Sequence, residues 1–113
     1  MIITKMFTAN DGKSYLEDFD CGHETIQPLG HYSKKYPASG MMFRDFEAGQ
    51  TFEMHTAPQP QYIIYLEGQV EVTTSGGDKK IFKLGDVLFA TDVTGEGHIS
   101  KTLTKGKSVI VTM

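Results

Sequence analysis

Gly49-Gln50-Thr51-Phe52-Glu53-Met54-His55-Thr56-Ala57-Pro58-Gln59-Pro60-Gln61-Tyr62-Ile63-Ile64-Tyr65-Leu66-Glu67-Gly68 decides how this chain is read. Strand alternation predicts Glu53, His55 and Ala57 on one face, and a barrel turns one face of each strand inward. Pro58 and Pro60 cannot donate to a ladder, so the strand should stop there and Gln61 should open the next one close by. Residues 61–66 are apolar at almost every position, as in a strand with the barrel interior on one side and a sheet or a partner subunit on the other. By parity with Gln61, Tyr65 faces inward and Tyr62 outward. His55 and Gln61 are thereby expected to converge.

The same texture continues outward from this stretch. From Gly40 onward, short runs rich in Ile, Val, Phe, Tyr and Thr alternate with Gly, Pro, Asp and Ser clusters, the pattern of successive strands in a sandwich or barrel. Residues 69–73 and 79–83 form the clearest hairpin, joined through Ser75-Gly76-Gly77-Asp78, whose glycines can supply positive φ. Residues 87–90 and 108–111 read as core strands, and no amphipathic helix is evident. Met1 to Phe7 reads as an edge strand. Residues 27–37, with two prolines and little periodicity, read as a loop that covers the barrel or packs on a neighbour. A chain of 113 residues predicts a single domain, with the barrel over about 39–113 and N-terminal strands and a loop over 1–38.

Composition narrows the functional classes. The formal net charge is -3 and no basic run occurs, so a nucleic-acid backbone would find little to hold. No stretch approaches the ~18 consecutive apolar residues of a membrane-spanning helix, and the N-terminus lacks the pattern of a signal peptide. Cys21 is the single cysteine, which excludes an internal disulfide and fits a reducing compartment; a cytoplasmic location is expected.

Gly49, His55 and Gly68 stand at the spacing of the first motif of the cupin superfamily, whose barrel is a double-stranded β-helix or jelly roll. That motif runs glycine, five residues, His-x-His, three or four residues, glutamate, six residues, glycine. Here Ala57 replaces the second histidine and Gln61 the glutamate. Gly85-Asp86-Val87-Leu88-Phe89-Ala90, with Thr91 for proline and a few extra residues before Gly97-His98, is similar to the second motif. The combined string also resembles small single-domain bacterial cupins of the RmlC-like type with no settled activity. The resemblance implies an all-β jelly-roll barrel, a small-molecule ligand and a homodimer, and it places His98 on a third strand facing the same cavity.

Neutral imidazole is a common ligand for zinc, nickel and iron, and a glutamine carbonyl oxygen can complete a site. His55, Gln61 and His98 are therefore the implied ligands for a divalent metal (zinc, nickel, manganese or iron). The missing histidine and missing carboxylate imply weaker binding than in a full four-ligand site. The corresponding activity would be a metal-assisted isomerase, lyase or oxygenase acting on a small carbohydrate-like or carboxylate metabolite, with Glu53, Tyr65 or an unligated histidine as candidates for acid–base work. The alternative is a non-catalytic module without metal, in which His55 and His98 are hydrogen-bonded lining groups and the barrel binds a small ligand or serves as a dimer surface. Ala57 favours this alternative. His23 and His31 read as loop residues. Asp92, Glu96 and Lys101, which flank His98, read as a solvated rim.

Overall fold

A computed structural model describes all 113 residues, the side chain of Gln27 excepted. Ten strands build two facing sheets: β1 (Ile2–Thr8), β2 (Ser14–Asp20), β5 (Gly40–Phe46), β6 (Thr51–His55), β7 (Gln61–Glu67), β8 (Val70–Thr74), β9 (Lys79–Phe82), β10 (Val87–Ala90), β11 (His98–Thr102) and β12 (Gly106–Thr112). Six of them line up as β2-β1-β10-β7-β12-β5 and four as β6-β11-β8-β9. A separate two-stranded ribbon, β3 (Thr25–Gln27) and β4 (Gly30–Tyr32), lies outside both. Only β1 and β10 pair in parallel; every other neighbour is antiparallel.

The alternation read from residues 69–73 is realised in β8, where Val70 and Val72 are buried between the sheets. They join Met6, Phe46, Tyr65, Phe82 and Leu88 in one core. A fully buried aliphatic or aromatic side chain contributes roughly 1.5–3 kcal/mol, so this cluster is what holds the two sheets face to face. The hairpin at Ser75 to Asp78 forms as expected, but its two glycines serve different ends. Gly77 takes φ 99°, whereas a Cβ on Gly76 would collide with the Tyr15 ring.

The N-terminal strand departs from its expected edge position. β1 lies between β2 and β10, with Met6 and Ile3 buried, so it is an interior strand and β2 is the edge. That edge is stitched to the facing sheet. Gly76 N donates to Ser14 O, Ser14 N to Ser75 Oγ and Leu16 N to Asp78 Oδ2, at 2.8–3.0 Å. At the opposite side the edges are β5 and β6, which share no ladder. Between them opens a cavity of about 1320 Å³, lined by residues of both sheets.

Residues 31–38 lie over the outer face of the six-stranded sheet, where they enclose a smaller cavity of about 490 Å³ with Cys21, Tyr62 and Ile64. This segment covers the sheet's outside and not the mouth of the main cavity. His31 lines the outer cavity and packs edge-on against His23, their ring centroids 4.8 Å apart, away from the site described next. Among the described residues no helix is long and apolar enough to cross a membrane.

Candidate functional site

The polar end of the main cavity is built where β6 meets β11. His98 pairs with His55 and Ser100 with Phe52, so two residues of β6, Glu53 and Met54, stand against one of β11, Ile99. This is a β-bulge, and it breaks the strict alternation on which Glu53 and His55 were grouped. Phe52, not Glu53, shares the face of His55. Their rings stack at 3.5 Å between centroids and 18° between planes. Glu53 is left exposed at the mouth, and its backbone carbonyl lies 2.7 Å from His55 Nδ1.

His98 opens β11, the strand flanked by β6 on one side and β8 on the other, and is only 5% exposed. Gly97 makes this placement sterically feasible. Its φ is +83°, and a Cβ there would overlap the His55 carbonyl, so the chain passes against β6 immediately before His98. The two imidazoles end 4.4 Å apart between ring centroids, tilted by 56°.

Asp92, expected on a solvated rim, is 0% exposed. Its Oδ2 accepts both from His98 Nδ1, at 2.6 Å, and from Ser14 Oγ, at 2.8 Å, while Oδ1 has no partner among the described residues. Carboxylate and carbonyl oxygens only accept. Nδ1 of each histidine must therefore carry the proton, and in the neutral ring Nε2 keeps the lone pair. Burial pushes the His55 pKa below its ordinary value; the Glu53 carbonyl opposes this, His98 adds to it and Asp92 opposes it. His55 is thereby held in the neutral, lone-pair-bearing form further into acid than a free imidazole.

Gln61, the first residue of β7, lines the same cavity, and so does Tyr65, consistent with their shared parity. Tyr65 is 2% exposed and stacks on Phe82 with centroids 5.3 Å apart. Burial raises its pKa strongly, against a smaller opposing effect of the adjacent Arg44 guanidinium, so the hydroxyl stays protonated. Ala57 is buried where the first cupin motif has its second histidine.

Gly49, Gly68 and Gly85, the motif glycines, all take positive φ at turns between strands, and the motif residues His55, Gln61 and His98 line one cavity between two antiparallel-rich sheets. The fold is an all-β jelly roll. Solved structures with which the chain aligns include an RmlC-like cupin protein from Desulfovibrio desulfuricans, at 17% identity and TM-score 0.48 over 97% of this chain and 79% of that one. A conserved protein of unknown function from Streptococcus pyogenes aligns at 14% identity and TM-score 0.49 over 79% of this chain and 94% of that one. A putative ethanolamine utilization protein Q from Salmonella typhimurium aligns at 17% and 0.48 over 99% and 94%. No protein-family model and no curated protein matches the sequence.

Sequence reasoning missed Asp92, Ser14, Phe52 and Arg44. Asp92 and Ser14 reach the site from a loop and from the N-terminal hairpin, and no local pattern in either segment announces that. Phe52 is displaced by the bulge. Arg44 had a signal: it is the one charged residue flanked at two-residue spacing by Met42 and Phe46, the pattern of an inward-facing position.

Proposed function

We propose that the chain binds a small metabolite in the cavity between its sheets, and that His55, His98 and Gln61 hold a divalent transition metal weakly at the polar end. The reading is carried by the tethering of both Nδ1 atoms. A ligating histidine generally donates its second ring N–H to a carboxylate or carbonyl, which fixes the tautomer and aims the other nitrogen at the ion. Asp92 does this for His98 and the Glu53 carbonyl for His55. Two imidazole nitrogens and one amide oxygen suit zinc, nickel or iron better than magnesium or calcium. The donor set has no anion, and among the described residues no group of three His, Cys, Asp or Glu side chains is placed to hold an ion. Affinity therefore falls below that of a complete cupin site.

When bound, such a metal supplies Lewis-acid polarisation of a ligand oxygen, the chemistry shared by isomerases, lyases and oxygenases. The chain's own residues orient the ligand. Tyr65 offers a fixed hydroxyl donor instead of a base, and any proton transfer at the mouth falls to Glu53. A second reading, a metal-free binding module, is favoured by the buried Ala57 in place of a ligand.

Titration of chelator-stripped protein with Ni²⁺ or Zn²⁺ by calorimetry separates the two. One equivalent bound by the wild type, and lost in both His55→Ala and His98→Ala, is the expected result. Absence of uptake by a folded wild type would leave the metal-free reading.

A further inference from the structure

Arg44 is the single cationic side chain among the described residues lining the main cavity, apart from the histidines. It sits on β5 directly opposite Ser108 of β12, which in turn pairs with Tyr65 of β7, so the three form one row across adjacent strands. Its Nε donates to Ser108 Oγ at 2.9 Å, and the guanidinium carbon lies 5.1 Å from the Phe46 ring centroid. Ser108, Phe46 and Tyr65 are all buried, so the plane of the guanidinium is fixed by its surroundings. Nη2 is buried and finds no hydrogen-bond partner among the described residues. The acidic residues that also line the cavity, Asp45 and Glu53, are exposed and neither forms an ion pair with Arg44.

A buried guanidinium N–H without an acceptor is unfavourable unless something supplies one. Natural cores rarely leave a charged donor so; an orphaned one at a cavity wall calls for an occupant. We infer that the cavity selects a monoanionic ligand, a small carboxylate, with Arg44 as the group that receives it. The planar fork of a guanidinium matches the two oxygens of a carboxylate. One cation balances one carboxylate; a phosphate would leave a charge over. Along β7 the Tyr65 row lies four residues from Gln61, about 13 Å at the rise of a strand, so the carboxylate end and the imidazole end of the cavity are separate stations. A ligand bridging them carries its carboxylate at Arg44 and a second polar group towards His55 and His98. This choice of ligand class rests on the reading of the cavity as the binding site.

The test uses metal-free protein, so that it does not depend on the imidazole site. Butyrate, succinate, the neutral isostere butyramide and inorganic phosphate are titrated in turn, followed by amide and arginine Nε–H chemical shifts. Butyrate should bind the wild type and shift the Arg44 Nε–H resonance, while butyramide, dianionic succinate and phosphate bind at least tenfold more weakly. Arg44→Met should lose roughly ten- to a hundredfold in carboxylate affinity, and Arg44→Lys, which keeps charge but not the fork, should fall between. Equal binding of butyramide and butyrate by the wild type overturns the inference without needing any variant, and so does preference for phosphate. If no carboxylate binds but metal does, the inference about Arg44 fails and the metal reading stands. If neither binds, the cavity is not the site.

Discussion

His98 and His55 face each other across one pair of strands, yet the fold treats them differently. His98 is buried, and its ring is clamped by a carboxylate that is itself fully enclosed and shared with Ser14. His55 is half-buried at the mouth, leans on the face of Phe52 and is held only by a carbonyl two residues away on its own strand. One imidazole is woven into the packing between the N-terminal hairpin and the four-stranded sheet; the other rests on a local bulge. Two residues of the same type, brought together by one ladder, thus divide into an anchor that the fold needs and a partner that the site needs.

The sharpest way to break this contrast is to remove each ring in turn. His98→Ala leaves Asp92 buried with Ser14 as its one remaining donor, and orphaning a buried polar partner costs ~1–3 kcal/mol, more when it is charged. Loss of the ring's packing adds to this, so we expect about 3 kcal/mol from denaturant unfolding. His55→Ala should cost within about 1 kcal/mol, as for a partly exposed group outside the core. Equal losses for the two variants would erase the distinction between anchor and partner.

A gentler change probes the tether itself. Asp92→Asn keeps the shape of the side chain but weakens the acceptor that orients His98, and removal of such an outer partner lowers metal affinity ten- to a hundredfold in characterised sites. Calorimetric titration of the variant with Ni²⁺ measures it. An unchanged affinity would mean that Asp92 serves folding alone.

The smallest expected effect is in the response to acid. The folded-state pKa of His55 lies below the ordinary 6.5, chiefly through burial. Between that lowered value and 6.5 the unfolded chain binds more protons than the folded one. The contribution to stability is therefore fully present above 6.5 and is lost as pH falls through the folded pKa. Because His55 is partly open to solvent, the slope should be shallow. An NMR titration of the ring resonances should give a midpoint below 6.5, and a midpoint above it would show that the carbonyl and Asp92 outweigh burial.

Much of this architecture was written in local pattern. Proline placement at 58 and 60 ended one strand and began the next, parity carried Gln61 and Tyr65 to the cavity side, and the Val70 to Thr74 alternation gave a wall with one buried face. Parity failed at Phe52 to His55 because a bulge adds one residue to one strand and reverses every later orientation. The apolar residues of the N-terminal strand are equally compatible with an edge or an interior place, and only pairing with β10 decides between them. Asp92 looked like any acidic loop residue beside glycines.

The sequence by itself determined the strand-and-turn texture, the glycines that need left-handed backbone and the motif residues that could meet, since each follows from steric rules acting over a few neighbouring positions. Only the tertiary structure decided that Asp92 and Ser14 lock His98, that Phe52 carries His55 and that Arg44 is tied to Ser108 in the cavity wall with Nη2 left without an acceptor. These are contacts between residues up to 78 positions apart. Their energies depend on burial and direction, which no short-range pattern encodes.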